Sequence, residues 1–555
     1  MAAPNDIFRK ALALHQSGKL AAAQALYAQV LALDPRHFDS LHLMGLTLVQ
    51  SDEAQKGAEL IRRAIALRPG FAEAHYNLGN ALLTLGRPAE ALDSLRQALA
   101  LKPGDAQYHL EAGNALKDLK RDSEAIAAYD AALRLDPQLA EAHNNRGIAL
   151  RDTGRLDEAV TSYDAAIALR PRYAEAHSNR GNALKELGQL EEALACHDRA
   201  IALRPAYAEA HYNRANALVE MGRSGAALES FDAALRLRPD YAEAQHNKSL
   251  LLLGLGRFGE GFGLYSWRWR SPAFTSPKLV TDLPAWDGRP EGHVLLWGEQ
   301  GIGDEIFHAS LLSLLPEGLS ATVAVDRRLL AILRRSCPHL TFIDGALPPE
   351  GRFTAQAALG DLGALLNVDA ALIAARRMPF LVANAARRDA LRRDNPFLAR
   401  HPACGLSWKS ANKKFGPEKS LRLMDLAPLL ATPGVSFVNL QYGEVEDEIA
   451  EVRAALGVTV HRAEGLDVLN DIDGLLALVD LCGAVLTTSN VTAHLAGALA
   501  KQGVAMVPSG KGCLWYWQGG PNNLWYPSLR RIAQDSPGQW QAAIAAAVMA
   551  VKDSL

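Results

Sequence analysis

Three short segments in the second half of the chain carry residue types suited to one kind of chemistry. The first is Gly298-Glu-Gln-Gly-Ile-Gly-Asp304. Glycines such as Gly301 and Gly303 let a backbone approach a ligand closely, and the helical pattern after them supplies an N-terminus that attracts anions. The third glycine of the dinucleotide fingerprint is missing. Asp304 stands where a helix cap would, a role Asp fills well, and also where a carboxylate can take a proton. Glu305 and His308 follow one and four positions on; His308 is a second proton-transfer candidate, although a His on an apolar helix is more often packed.

The second segment is Gly405-Leu-Ser-Trp-Lys-Ser410, followed by Asn412, Lys413, Lys414 and Lys419. It reads as a strand running into a polar, cationic loop. Hydroxyls and ammonium groups there suit a sugar-diphosphate leaving group, whose charge grows in the transition state. Ser407, Lys409, Ser410 and Lys419 are the candidates, with Lys409 and Lys419 foremost; a solvated loop explains Lys413 and Lys414 at least as well. The third segment, Thr487-Thr-Ser-Asn-Val-Thr-Ala-His-Leu-Ala-Gly-Ala498, is a strand, a hydroxyl-rich turn and a helix of small residues. Unpaired N–H groups at that helix start make an anion site, with Ser489, Asn490, Thr492 and His494 around it. Gln441 and Tyr442 end another strand and are placed to meet a nucleobase, and Asp467 and Asp471 its ribose. The later run GKGCLWYWQGGPNNLWYPSLR sets five aromatics in a Gly-rich loop, as the floor of a base or sugar pocket or as packing between domains.

The elements that must position these segments alternate. From Gly292, HVLLWGE, ATVAV and LTFI read as strands between helical stretches. After RRDALRRDNPFLAR the scheme restarts, with strands ACGLSW, VSFVNL, GAVLTT and VAMV. Strand–helix alternation predicts parallel sheets, and two such blocks, 292–400 and 401–555, predict two Rossmann-like domains facing one cleft, with ligands at the carboxyl ends of the strands. This is the GT-B arrangement of nucleotide-sugar glycosyltransferases.

The first half is repetitive. Pro35, Pro69, Pro103, Pro137, Pro171, Pro205 and Pro239 stand 34 residues apart, and Gly45, Gly79, Gly113, Gly147 and Gly181 keep the same step. Small residues where two helices touch, with a proline at the exit, describe a repeated helix-turn-helix. The pattern His75, Leu78, Gly79, Leu82, Ala91, Leu95, Ala98, Pro103 resembles the tetratricopeptide repeat, with His in place of the leading aromatic. About seven units and a degenerate eighth fill 1–270, forming an all-α superhelix whose concave face binds a protein partner. Asn77, Asn145, Asn179, Asn213 and Asn247 form a column at the same step, with Glu111 in the gap. Amides offer a donor and an acceptor, so the long, nearly unbroken column is expected to grip the backbone of the acceptor protein, as similar asparagines do in protein O-GlcNAc transferases, with bonding between neighbouring repeats as the alternative. The His75, His109, His143, His177 and His211 column reads as packing, since adjacent helices stand too far apart for its members to share a metal. Residues 271–291, rich in Pro, Gly and Trp, read as the joint, with Trp267 and Trp269 packing the last helix onto the second domain.

Composition narrows the classes. The chain has 555 residues, a net charge of −3 and five cysteines without a CxxC pair. A basic excess for nucleic acid, a disulfide framework and a zinc site are not indicated. MAAPNDIFRK lacks a signal-peptide core and no stretch reaches membrane-spanning length, so a cytoplasmic location is expected.

The Gly-Asp turn at Gly303-Asp304 resembles that of heptosyltransferase-like glycosyltransferases, in which the aspartate faces the acceptor as the proposed base. Those enzymes carry Asp-Thr-x-x-x-His-Leu where this chain has Ser489, Asn490 and His494, and they bind donor phosphates there. The loss of the acid at Ser489 argues against an ADP-heptose donor. Residues 292–540 are similar to the transferase domain that follows tetratricopeptide repeats in bacterial proteins, among them alphaproteobacterial flagellin glycosyltransferases that use CMP-linked nonulosonic acids. The resemblance implies an inverting protein O-glycosyltransferase with a nucleotide sugar as co-substrate and no cofactor. No Asp-x-Asp pair ends a strand to hold a metal; Asp471-Ile-Asp473 opens a helix. Two alternatives stay open: a transferase acting on lipopolysaccharide or another glycan, and a repeat scaffold whose transferase domain is inactive.

Overall fold

The computed structural model describes residues 4–346, 352–410, 416–510, 512–520, 523–536 and 538–555. Asn412, Lys413 and Lys414 lie outside them. The chain divides into two compact units, Met1–Ala217 and Leu218–Leu555.

Sixteen α-helices run between Pro4 and Tyr265 among the described residues. The 34-residue step is a 13-residue helix, a 14-residue helix and their two turns, as in Ala72–Thr84 with Pro88–Leu101. The glycine column is a column of close approaches. A Cβ added at Gly45, Gly79, Gly113, Gly147 or Gly181 would stand 2.5 to 2.6 Å from the side chain opposite, which is Ile61, Leu95, Tyr129, Tyr163 and His197 in turn. At these five steps the helix pairs nest because the first helix carries no side chain, while Ala11, Ala215 and Ser249, all fully buried, hold the same step in other repeats.

The histidine column does more than pack. His75, His109, His143, His177 and His211 each reach the carbonyl of the proline six residues earlier, at 2.8, 2.9, 3.1, 3.1 and 3.0 Å. Gln245 Nε2 donates to Pro239 in the same way at 3.1 Å. The latch satisfies a carbonyl that the proline turn leaves outside the helix ladder.

The second unit joins the last helices of the array to two parallel sheets. The first holds β1 (His293–Trp297), β2 (Ser320–Val325), β3 (Thr341–Asp344) and β4 (Ala355–Ala358), in the order β3-β2-β1-β4. The second holds β5 (Ala403–Ser407), β6 (Ser436–Asn439), β7 (Val460–His461), β8 (Ala484–Thr488), β9 (Gly503–Val507) and β10 (Leu529–Ala533), in the order β10-β9-β8-β5-β6-β7. Every pairing is parallel. The fold class is thus an all-α repeat array followed by α/β structure with two parallel sheets. Strands β4, β7 and β10 go beyond the apolar runs: AQAA and the two-residue VH are too short to stand out, and LRRIA carries two arginines.

Residues 271–291 hold no helix or strand, and the compact units divide between Ala217 and Leu218. Leu253, Phe258, Phe262 and Tyr265 belong to the hydrophobic core of the α/β half, so the last repeat helices fold with it. Trp269 packs on Trp297 of β1, ring centroids 5.3 Å apart, whereas Trp267 lies half-exposed under the Arg270 guanidinium.

His197 stands in the bulky column where the repeat before has Tyr163 and the repeat after has Phe231. It is fully buried, both ring nitrogens lack a partner among the described residues, and burial pushes its pKa down to about 3. Because the folded pKa lies below the unfolded value of 6.5, the unfolded chain binds the proton more readily, and stability present above pH 6.5 is lost as pH falls toward 3. The loss is about 1.4 kcal/mol per pH unit. His197→Tyr is expected to raise the array's melting temperature at pH 5 more than at pH 8; equal shifts at the two pH values would show that protonation is not involved. A fragment beginning at residue 218 is expected to melt cooperatively, and one beginning at 271, stripped of Phe258, Phe262 and Tyr265, is not; calorimetry of both decides.

Candidate functional site

The three segments read from the sequence all leave parallel strands at their carboxyl ends. Gly298–Asp304 follows β1, Trp408–Ser410 follows β5 and Ser489–Thr492 follows β8. In each sheet these strands border the point where the strand order reverses, between β1 and β4 and between β5 and β8. Such reversals open the crevice in which α/β proteins bind ligands.

Asp304 lies in the first turn of helix Ile302–Ala309, whose cap position is Gly301; the carboxylate is not the cap. It accepts a hydrogen bond from the Tyr516 hydroxyl at 2.9 Å. Burial raises its pKa, against the Tyr516 bond and the charge of Lys419, which pull it down. Lys419, 3 % exposed, ends the short helix Gly416–Lys419, and burial lowers its pKa while Asp304 opposes the shift. The two charges attract each other, yet no ion-pair contact joins them among the described residues. The turn before Asp304 is strained: Gln300 has φ +65°, and its N–H donates to Ser276 Oγ at 2.9 Å, which helps hold a conformation that side chains disfavour.

Gly303 brings the two lobes together. A Cβ there would stand 3.1 Å from His494 Cδ2, so a side chain would push the imidazole aside. His494 sits in helix Val491–Ala498 and shares a 2.9 Å hydrogen bond, through Nδ1, with the Tyr526 hydroxyl. Burial, with Lys419 adding to it, takes its pKa to about 3. His308 is likewise buried and held near 3, with Arg268 and His494 as secondary causes. At 2 % exposure, one turn beyond Asp304, it is buried with Nδ1 unpartnered among the described residues, and its lowered pKa makes it a weak proton acceptor.

Several donor-site candidates are engaged with one another. The Ser407 hydroxyl donates to Gln441 Oε1 at 3.0 Å, the Lys409 N–H donates to the same oxygen at 2.8 Å, and Asn490 Nδ2 donates to Ser407 Oγ at 2.8 Å. Asn490 also caps the Val491–Ala498 helix through the Thr492 N–H at 2.9 Å. Gln441, 1 % exposed, thus orders the loop after β5 rather than facing a base. Lys409, read as a leading cation, instead ion-pairs with Glu448, which also takes the Trp408 indole N–H. The Ser410 N–H donates to Ser420 Oγ at 3.1 Å, and Tyr442 lies half-buried beside Gln441. Asp467 accepts from the backbone of Leu469 and Asn470, and Asp471 caps helix Ile472–Leu481 and pairs with Arg387, so neither reaches toward a ribose. What the helix start does offer is the pair of hydroxyls on Ser489 and Thr492, buried and without a partner among the described residues.

The five loop aromatics Trp515, Tyr516, Trp517, Trp525 and Tyr526 are all buried. Tyr516 stacks on Phe307 with centroids 4.3 Å apart, and Trp525 meets Phe258 at 5.8 Å. They are packing between elements, not a pocket floor. Arg268 and Glu299 escaped the sequence reading. Arg268, fully buried, donates to Glu299 Oε2 at 2.9 Å and to Asp361 Oδ1 at 2.6 Å, fixing the turn that leads to Asp304. Its one signal was an arginine between two tryptophans. Beside the turn a cavity of about 650 Å³ opens at the carboxyl edge of the first sheet, lined by Trp297, Glu305, Asp326 and Arg328 among others; burial lifts Glu305 to about 7.

In the array, Asn77 Nδ2 meets His42 Nε2 at 2.8 Å, Asn145 donates to Asn114 at 3.0 Å, Asn179 to Asn144 at 3.0 Å and Asn213 to Ser178 at 3.2 Å. The four amides therefore link neighbouring repeats. Glu111 accepts from Gln107 and Asn114 within its own helix, and Asn247 lies half-buried at the next step.

Comparison with known proteins agrees on the first half. Residues 8–70, 42–106 and 76–140 match one tetratricopeptide-repeat model, 128–161 and 208–241 two others, and 147–188 and 181–222 a TPR-repeat model. Residues 8–241 are tetratricopeptide repeats throughout. Protein FlbA of Caulobacter vibrioides is 30% identical over 318 residues, 53% of this chain and 52% of that protein. The chain spans about half the length of that curated relative. Among solved structures, YrrB, described as a TPR protein with an unusual peptide-binding site, is 23% identical with a TM-score of 0.30 over 33% of this chain and 95% of its own. A tetratricopeptide-repeat protein of Parabacteroides merdae is 15% identical with a TM-score of 0.39 over 45% of this chain and 98% of its own.

Replacing Asn145, Asn179 and Asn213 together by Ala removes three links between repeats, each worth about 0.5–1.5 kcal/mol. The array is expected to melt several degrees lower with no partner present; an unchanged melting curve would free the column for another role.

Proposed function

We propose that the chain is a protein O-glycosyltransferase. The repeats recruit an acceptor protein, and the crevice of the α/β half transfers a sugar from a nucleotide sugar to a Ser or Thr hydroxyl. One observation supports this reading: a buried carboxylate, Asp304, interacts with the charge of a buried ammonium, Lys419, and its neighbour Gly303 lies against Val491 and His494 of the helix whose start carries the hydroxyls of Ser489 and Thr492, unpartnered among the described residues.

Asp304 takes the proton of the acceptor hydroxyl as its oxygen attacks the anomeric carbon. The bond from that carbon to the phosphate oxygen breaks, and the leaving phosphate takes up the negative charge. The N–H groups at the start of helix Val491–Ala498, the two hydroxyls and Lys419 stabilise that charge. A carboxylate whose pKa burial has raised is a stronger base than a free one. A single displacement inverts the anomeric centre. Flagellin and CMP-linked nonulosonic acids are the acceptor and donor to try first, because the layout resembles the flagellin enzymes. No helix among the described residues is long and apolar enough to cross a membrane.

A melting-temperature screen against UDP-, GDP-, CMP- and ADP-sugars, followed by turnover with the donor it selects, tests the reading. Asp304→Asn is expected to keep donor binding and lose about 10²–10⁴ in rate. Lys419→Met and Thr492→Val are each expected to weaken donor binding, about tenfold for the charged group. Wild-type turnover in Asp304→Asn, or no stabilisation by any nucleotide sugar, would remove the assignment.

A further inference from the structure

Tyr516 lies 212 residues from Asp304 in the chain, yet its hydroxyl meets Asp304 Oδ1 at 2.9 Å. The ring is held on several sides. It stacks on Phe307 at 4.3 Å and 23°, with His494 and Trp515 each 5.4 Å away at steep angles. The loop is fixed as well, since Asn523 Nδ2 donates to the Tyr516 carbonyl at 2.9 Å and Asn523 Oδ1 accepts the N–H groups of Trp525 and Tyr526 at 2.8 and 3.0 Å. Phe307 belongs to the same helix as Asp304. One helix therefore presents both the ring on which the tyrosine stacks and the carboxylate to which it donates.

We infer that Tyr516 is the positioning residue of Asp304, fixing through Oδ1 the carboxylate that receives the acceptor's proton. The inference rests on Asp304 being the base of the proposed transfer.

The groups around the carboxylate give the direction of its effect. Lys419 faces it from helix Gly416–Lys419, Glu299 and Glu305 from its own turn and helix, and Tyr265 from helix Phe258–Tyr265. Tyr526 faces it from the aromatic loop, and neutral His494 and His308 stand nearby. Burial raises the carboxyl, and Tyr516 is foremost among the groups that lower it. Without the hydroxyl the carboxylate loses its main support, so it protonates at higher pH and the base is lost sooner on acidification.

Tyr516→Phe keeps the stacked ring and deletes the hydroxyl. The Asp304 titration, followed by the carboxyl infrared band assigned by difference from Asp304→Asn, is expected to move to higher pH. The acid limb of the rate profile should move with it, leaving about tenfold less activity on that limb while the donor KM and melting temperature hold. Tyr516→Leu, which also removes the ring, is expected to lower the melting temperature, separating the ring's role from the hydroxyl's. A Tyr516→Phe titration and acid limb that coincide with wild type would overturn the inference. If the wild-type protein turns over no donor, the transferase reading falls, and the infrared titration still decides whether Tyr516 governs Asp304.

Discussion

The second unit depends on the burial of five loop aromatics, Trp515, Tyr516, Trp517, Trp525 and Tyr526. The two parallel sheets share no strand, so apart from backbone bonds such as those from the Phe380 and Leu381 N–H groups to the Ala498 carbonyl, side chains join the sheets to each other and to the last repeat helices. Five aromatic rings do this, each burying on the order of 150–250 Å². Trp515 meets Phe262, Trp525 meets Phe258 and Phe307, and Tyr516 stacks on Phe307. A Cβ on Gly497 would stand 2.3 Å from the Tyr526 ring, so that ring lies directly on the helix that starts at the hydroxyl-rich turn. Arg376, with no acidic partner among the described residues, covers Trp525 and donates to its carbonyl at 3.1 Å; burial brings its pKa down to about 10. The position of Asp304 relative to the second sheet follows from this packing.

Charge is arranged around the same place. Arg268 is matched by Glu299 and Asp361, and Lys409 by Glu448. His308 and His494 are kept neutral by burial. A buried charge without a partner is costly, and Asp304 and Lys419 face each other without touching.

The periodic features were legible because their causes are local. The 34-residue step records helix length and turn chemistry, and the glycine column records close approach between consecutive helices. Strand ends were legible from apolar runs giving way to Gly, Ser and Thr. The partners were not. Nothing in the spacing of Lys409 shows that Glu448 neutralises it, or that Gln441 turns inward to hold the loop after β5 rather than toward a base. The length of the asparagine column favours a peptide, yet an amide serves the next repeat as well; a partner side chain 35 residues away on the neighbouring repeat shows where one N–H goes.

By itself the sequence determined the repeated helix pairs, the two parallel-sheet blocks and the three strand ends where chemistry would gather, because each is set by interactions within one or two elements. Only the tertiary structure decided which candidates keep unpartnered polar groups, that Tyr516 and Arg268 frame the turn bearing Asp304, and that the last repeat folds with the α/β half. Those outcomes depend on burial and on partners hundreds of residues away, and desolvation, which sets the charge state of Asp304, Lys419 and the buried histidines, exists only once the chain has packed.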